Sequence, residues 1–268
     1  MQVNCEKPWL RAVRWVLRQV VNQENWREIL NQCALEKGIQ NHCQLPIQFV
    51  SQSMLPEKNP YEAWISQTGC VPTRGNLHDF FNALVWLSFP KIKKVLNELQ
   101  AAQIQLEGIK PSRGKARDAA TLFDENAVIV VVKEGGMGEA WCTALREHRW
   151  TEVFIENRGG FGELGYESEA EIQVWGFGHA LMEKLEKPYK AITAHAWIVR
   201  APEAYFLLTD EAQRIWVDES VARNLLTRML NPQDFSPLPV LGIPEWFSEQ
   251  NLDFYMDKTV FRDKSRQK

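Results

Sequence analysis

Apolar residues recur every three or four positions through the first hundred residues, which is the spacing of one face of an α-helix. This pattern predicts four helices, over residues 9–21, 24–36, 77–88 and from Pro90 to Gly108. Between the second and third helices, residues 45–52 have the alternation of a short strand, and Pro60 suits the first position of a short helix. The chain is therefore predicted to be mainly helical up to about residue 116.

Short apolar runs replace this pattern in the second half of the chain. Val128–Val132 is a run of five β-branched residues, typical of a strand that is buried on both faces. The stretch 120–132 is predicted as two strands joined by a polar turn at Asp124-Glu125-Asn126. Further strands are predicted at 151–156, 171–177, 194–200 and 204–208, and helices at 138–147, 178–186 and 218–230.

The succession of elements predicts an α+β fold, in one domain that covers residues 1–268. Its helical part spans about 1–116, its mixed part about 117–257 around a small buried sheet, and a basic tail covers 258–268. A helical half joined to a separate mixed half is the alternative architecture.

Composition adds an aromatic core and removes some classes of protein. Eleven of the 268 residues are Trp, so we expect a core rich in aromatic side chains. The net charge of −3 argues against a protein that coats nucleic acid by charge alone, and no nucleic-acid partner is expected.

The cysteines and the apolar stretches indicate a compartment. Five cysteines without a Cys-x-x-Cys pair favour reduced thiols over a disulfide framework or a zinc ribbon. The longest apolar stretch, Phe80 to Phe89, is about half the length that a membrane span needs. No secretory signal opens the chain, and we expect a cytoplasmic protein.

Residues 9–21 allow a second interpretation. Their predicted helix places Arg11, Arg14 and Arg18 on one face, and a basic amphipathic helix with two tryptophans can lie on an anionic membrane surface. The alternative is a surface helix that packs on the core with its arginines in water. We favour the second interpretation, because nothing else in the chain indicates a membrane.

Two glycine-rich stretches resemble nucleotide-binding loops without meeting their requirements. Gly160–Gly165 has the spacing of a dinucleotide-binding turn, but acidic residues and a predicted strand follow where a helix should begin. Residues 108–116 have one residue too many for a phosphate-binding loop, and Ala116 stands where magnesium requires a hydroxyl. Neither stretch predicts a nucleotide site.

Polar residues cluster at the start of the apolar helix 77–88. Asn76 is suited to cap the helix, and Asp79 is placed to complete a capping box. His78 and Asn82 are four residues apart and share a face. Asn82 needs a partner in this apolar helix, from the main chain, a ligand or His78. His78 lies in the first turn, where the helix dipole favours the neutral imidazole that serves as a base or metal ligand.

A similar arrangement recurs about a hundred residues later. His179 opens a helix directly after a strand, and Glu183 lies on the same face. Arg113, Arg117 and Asp118 precede the predicted strands between the two histidine segments. Two histidines with several carboxylates predict a divalent-metal site or a general acid–base pair. The arginines suit a phosphate or carboxylate substrate.

Four segments together resemble an uncharacterised bacterial family, domain of unknown function 3025. They are residues 71–100, 117–126 and 176–185 and the ending 238–262. The resemblance implies a bacterial, cytoplasmic protein of one domain type, without an established reaction. It also places nine residues in the family's pattern: His78, Asp79, Asn82, Arg117, Asp118, Asp124, Glu125, His179 and Glu183.

Two functional hypotheses follow. The first is a hydrolase of a phosphorylated or other anionic substrate, with a divalent metal or acid–base chemistry. In it the catalytic residues are His78, Asp79, Asp118, His179 and Glu183, the metal ligands His78, His179 and Asp118, and the substrate-binding residues Asn82, Arg113 and Arg117. The second is a non-catalytic binding or interaction protein, in which these side chains form a buried structural network.

Overall fold

A computed structural model describes residues 1–107, 114–162, 170–227 and 229–264 of the chain. Its fold is α+β, with helices in the N-terminal part and a mixed C-terminal part around a small sheet. The helices are α1 Arg14–Val20, α2 Trp26–Glu36, α3 Tyr61–Thr68, α4 Leu77–Ser88, α5 Pro90–Glu107, α6 Lys115–Asn126, α7 Gly136–Arg146, α8 His179–Leu185, α9 Glu203–Phe206, α10 Asp210–Thr227 and α11 Leu252–Met256. The strands are β1 Gln48–Val50, β2 Cys70–Pro72, β3 Ala127–Lys133, β4 Ile172–Gly176, β5 Thr193–Ala201 and β6 Ser236–Pro239.

The larger sheet has four strands in the order β4-β3-β5-β6. The strand β3 contains the predicted β-branched run and pairs antiparallel with β4 and parallel with β5, so that Val130 lies between Val174 and Ile198. All residues of β3 from Ala127 to Val132 are buried, which confirms the prediction of a strand covered on both faces. The smaller sheet is the parallel pair β1–β2, and β1 is shorter than the predicted strand at 45–52.

One connected hydrophobic core joins the helical and the mixed parts. Its largest fully buried side chains include Trp86 on α4, Trp175 on β4 and Trp197 on β5. The aromatic core expected from the composition is therefore confirmed. Among the described residues, no helix is both long enough and apolar enough to cross a membrane.

The arginines of the N-terminal helix pair with other groups of the chain. A 3₁₀ helix, Pro8–Val13, leads into α1. Arg11 pairs with Asp210 of α10 at 2.5 Å, and Arg18 pairs with Glu6 at 2.7 Å. Arg14 donates to the main-chain carbonyls of Cys5 and Lys7. These contacts favour the interpretation of a helix packed on the core.

Three predicted strands are helical in the structure. Residues 120–126 belong to α6, because Ala119, Ala120 and Phe123 are buried at helical spacing and Phe123 stacks on Trp197 of β5. The polar residues Asp124-Glu125-Asn126 are thus the last residues of a helix, and β3 follows them directly.

The other two are local helical turns. Residues 152–156 form a π-helical turn that buries the neighbouring side chains of Val153 and Phe154 on one side. Residues 203–206 form α9, which begins after Pro202 and buries Tyr205 and Phe206. Apolar runs of five or six residues do not distinguish a short strand from such a turn.

Candidate metal centre

The start of α4 positions His78. Asn76 caps this helix, because its Oδ1 accepts a hydrogen bond from the Asp79 amide at 2.9 Å. The carboxylate of Asp79 does not complete a capping box. It accepts hydrogen bonds from the Arg74 amide at 2.7 Å and from the Arg74 guanidinium at 2.9 Å. Burial opposes ionisation of Asp79, but these bonds hold its pKa below the ordinary value. The structure therefore places this predicted catalytic residue in an ion pair.

A close approach of two main chains positions His179. The Gly178 amide donates to the Ala127 carbonyl at 2.7 Å. A Cβ at position 178 would lie 2.6 Å from main-chain atoms of Glu125, Asn126 and Ala127, so a side chain does not fit there. This contact brings His179, the first residue of α8, against the C-terminal end of α6.

The two predicted histidines meet in the structure. His78 Nε2 lies 3.2 Å from His179 Nε2, and the ring centroids are 4.5 Å apart at an angle of 75°. Glu125 of α6 faces the same point, with its Oε2 3.8 Å from His179 Nε2. One ligand atom from each of His78, Glu125 and His179 lies within 4.8 Å of the other two.

A carboxylate lies behind each imidazole, on the side away from this meeting point. Glu183 Oε2 is 3.1 Å from His78 Nδ1. Asp124 Oδ2 is 4.0 Å from His179 Nδ1, which is buried and has no hydrogen-bond partner among the described residues. If His78 Nδ1 carries a proton toward Glu183, its Nε2 presents a lone pair toward His179 and Glu125.

Burial sets the protonation of this cluster. His179 is 3% exposed, and burial lowers its pKa to about 4, against the opposing charge of Asp124. Burial also raises the pKa of Glu125, although the neighbouring His78 opposes this shift. A neutral imidazole at neutral pH is the form that binds a metal.

A buried polar network supports the cluster from below. Lys93 of α5 is 4% exposed, and its Nζ lies 2.5 Å from Asp124 Oδ1 and 2.9 Å from Asn82 Oδ1. Asn82 Nδ2 donates to the Tyr61 hydroxyl at 3.0 Å. Burial would raise the pKa of Asp124, but the Lys93 charge holds it below the ordinary value. Asn82, expected to bind substrate, thus has Lys93 and Tyr61 as its partners.

A family model described as "Protein of unknown function (DUF3025)" matches residues 47–265, which is most of the chain. The chain belongs to this family. The resemblance found in the sequence is thereby confirmed, and all residues of the cluster lie within the matched DUF3025 region. Comparison with curated proteins and with solved structures found no match.

The DUF3025 chain has a cavity of about 350 Å³ that adjoins the cluster. It lies between α3, α5 and α6, and Glu125 belongs to both the cavity and the cluster. The lining residues are Pro60, Tyr61, Glu62, Gln100, Ile104, Arg117, Thr121, Asp124 and Glu125. Arg117, expected to bind substrate, is therefore on the wall of a cavity beside the histidines.

Two other predicted site residues are not part of the cluster. Asp118 is exposed in the first turn of α6, and the ligand-bearing group contains Glu125 in its place. Arg113 lies outside the described residues. The predicted face shared by His179 and Glu183 is used differently, because Glu183 contacts His78.

Glu125, Asp124 and Lys93 were not assigned to the site from the sequence. The family resemblance drew attention to the first two, but they were predicted to form a turn and were given no part in binding or catalysis. One signal was present in the sequence. Adjacent acids at the C-terminal end of a helix oppose its dipole, and such a violation of a local rule marks functional sites.

Proposed function

We propose that the DUF3025 chain is a metal-dependent hydrolase in which His78, His179 and Glu125 bind a divalent cation such as zinc. The convergence of one ligand atom from each of these residues within 4.8 Å carries the proposal. In a tetrahedral site with zinc–nitrogen bonds of 2.0–2.1 Å, two nitrogens are about 3.3 Å apart. The distance of 3.2 Å between the two Nε2 atoms needs little change to reach this value.

The ligand set supports catalysis more than structure. Structural zinc sites are closed by four protein ligands, whereas catalytic sites have three and keep a position for water. Two histidines and one glutamate form such a three-ligand set. A divalent cation held by these residues would supply a water acidic enough to act as a nucleophile near neutral pH, which is what hydrolysis of an ester, amide or phosphoester requires.

The placement of charges on the helices supports a cation. His179 lies at the N-terminal end of α8, which disfavours imidazolium, and Glu125 lies at the C-terminal end of α6, which disfavours carboxylate. Each placement is unfavourable for a site of free charges. Around a divalent cation the same placement is favourable, because the cation attracts the carboxylate and the lone pairs of neutral imidazoles.

The carboxylates behind the histidines support the same proposal. Histidine ligands of metals commonly donate their second N–H to a carboxylate, which fixes the tautomer and the ring. Glu183 stands in this position for His78 at 3.1 Å. Asp124 faces the buried Nδ1 of His179 at 4.0 Å.

A second candidate is a non-catalytic binding protein, and one observation favours it. Lys93, Asp124, Asn82 and Tyr61 form a continuous network of direct hydrogen bonds that joins α3, α4, α5 and α6. In this candidate the histidines extend the network and contribute to stability alone.

Metal content separates the two candidates. The full chain is purified without chelator or affinity tag, beside His78→Ala, His179→Ala and Glu125→Gln, and each protein is analysed by mass spectrometry for bound metals. We expect nearly one metal per chain in the native protein and its loss from all three variants, which remain folded by circular dichroism. His42→Ala is the matched control, because His42 bonds Ser66 in another part of the chain.

Activity is then sought with the metal-loaded protein on phosphoesters, carboxylic esters and amides. A native protein that takes up no zinc, manganese or cobalt, and whose histidine variants unfold at lower temperature, would establish the structural network instead. Metal binding without turnover of any of these bond types would reject the hydrolase and retain the metal centre.

We also propose a cytoplasmic location. All five cysteines are free thiols in the structure, and two of them, Cys33 and Cys142, are buried. Unpaired thiols in this number are characteristic of a reducing compartment. Cell fractionation with detection of the native chain tests this, and recovery in a secreted or membrane fraction contradicts it.

A further inference from the structure

The cavity beside the cluster runs between two antiparallel helices. Lys93 of α5 contacts Asp124 of α6 at the inner end of the cavity. Gln100 follows Lys93 by seven residues, and Arg117 precedes Asp124 by seven. Both line the same cavity. Because an α-helix rises 1.5 Å per residue, Gln100 and Arg117 lie at one level, about 10 Å from the Lys93–Asp124 contact.

One face of α6 joins this outer level to the cluster. Arg117, Thr121 and Glu125 follow one another at intervals of four residues, so their side chains share a face. All three line the cavity. Along this wall, the guanidinium of Arg117 is followed by the hydroxyl of Thr121 and then by Glu125, a ligand of the candidate metal centre.

The polar groups at the outer level lack partners. Gln100 is 6% exposed, and its side-chain amide makes no hydrogen bond to any residue that the structure describes. Arg117 is half-buried and forms no ion pair with a described carboxylate. Donors left unpaired on a cavity wall indicate a ligand that accepts hydrogen bonds from them.

We propose that Arg117, Gln100 and Thr121 bind the anionic end of a small substrate, a carboxylate or a phosphate, about 10 Å from the bond that reacts. The term anchor subsite is used below for these three residues. This inference rests on the proposed function only for the reacting end. The anionic group then serves only for binding and remains on the product. The proposal excludes a substrate whose one anionic group lies beside the bond that is broken.

The charges in the cavity are compatible with an anion. Asp124 is neutralised by Lys93 at 2.5 Å. Glu62 Oε2 accepts a hydrogen bond from Asn97 at 2.7 Å, and burial raises the pKa of Glu62. Arg117 is left as the cation whose charge is not balanced by a neighbour in the described part of the wall. A volume of about 350 Å³ limits the ligand to a small molecule.

Anion binding is measured first on the full chain after the metal has been removed by a chelator, so that the anion has no metal to bind. Inorganic phosphate and acetate are titrated separately at low ionic strength and followed by isothermal calorimetry. We expect saturable binding of at least one anion, weakened tenfold or more in Arg117→Met and several-fold in Gln100→Leu. Lys115→Met is the matched control, because Lys115 is an exposed cation in the same turn of α6 and should bind the anion as the native chain does.

The outcomes separate the anchor subsite from the hydrolase. Preference for phosphate or for acetate identifies the anionic group. The anchor subsite is overturned by any of three results: Arg117→Met binds the anion as tightly as the native chain, Lys115→Met loses as much affinity as Arg117→Met, or neither anion binds. Arg117-dependent anion binding in a chain that takes up no metal keeps the anchor subsite and rejects the hydrolase. If the chain binds stoichiometric metal and Arg117→Met binds the anion as the native chain does, the anchor subsite is rejected and the metal centre is kept.

Discussion

Lys93 Nζ lies 2.5 Å from Asp124 Oδ1, and both side chains are buried between α5 and α6. Each of the two side chains carries a charge that its partner compensates. Removal of one partner of a buried ion pair typically costs about 3–5 kcal/mol, because the other charge stays buried.

We therefore expect Asp124→Asn and Lys93→Met each to lower the free energy of unfolding by about 3 kcal/mol or more in urea denaturation. The double variant should lose clearly less than the sum of the two single losses. Additive losses would show that the two charges do not depend on one another. The exposed pair Lys91–Glu219 is the matched control, and its loss should cost less than about 1 kcal/mol.

Glu183→Gln should weaken metal binding without removing a ligand. The carboxylate of Glu183 orients His78 through Nδ1, and loss of such a partner typically lowers metal affinity about 10–100-fold. Competition with a fluorescent chelator measures this affinity. Glu203→Gln is the control, because Glu203 pairs with Lys133 at the surface and should leave the affinity unchanged. Equal affinity of Glu183→Gln and the native chain would remove Glu183 from the centre.

The stability of the metal-free chain should depend on pH through His179. Burial lowers its pKa from 6.5 to about 4 in the folded state, so below pH 6.5 the unfolded chain binds the proton more readily. The free energy of unfolding contributed by this residue is present above pH 6.5 and is lost as the pH falls toward 4. The loss is about 3 kcal/mol as an order of magnitude.

Urea denaturation at successive pH values between 7 and 4 measures this dependence. In His179→Asn the corresponding part of the slope should disappear, and the difference in stability between the two proteins should shrink as the pH falls. An identical slope in both proteins would mean that His179 is protonated as readily in the folded chain as in the unfolded one.

Gly178→Ala should disrupt the cluster from its main-chain support. The added Cβ would lie 2.6 Å from three main-chain atoms of residues 125–127, so α8 must move away from α6. We expect a loss of stability of several kcal/mol, on the scale of overpacking, and a lower metal content. Gly75→Ala is the matched control, because nothing lies within 4 Å of its Cβ position. Thermal unfolding and metal analysis of both variants, with an unchanged Gly178→Ala as the contrary result, test the contact.

The local part of the site could be predicted from the sequence. Asn76 caps α4, His78 lies in its first turn and His179 opens α8, as helix signals indicate. The run from Val128 to Val132 is the central strand of the sheet. These features depend on residues within about four positions of one another, where spacing and capping rules apply.

The partners across the fold could not be predicted. Asp124 and Glu125 are polar whether they end a helix or form a turn, and the helix depends on tertiary packing such as that of Phe123 on Trp197. The choice of Glu125 over Asp118 as the acid beside the histidines depends on the contact of Gly178 with residues 125–127. Asn82 required a partner by its burial, but Tyr61 and Lys93 belong to other helices.

The face of α6 that carries Arg117, Thr121 and Glu125 fixes both the distance and the direction of Arg117 relative to Glu125. Each residue turns an α-helix by about 100°, so one residue inserted between Arg117 and Glu125 would swing Arg117 away from the cavity while Glu125 stayed in place. Substitutions on the exposed side of this helix leave that spacing unchanged. A change in helix length by a single residue alters it, and only the gain or loss of a whole turn would restore the direction of Arg117, at a new distance.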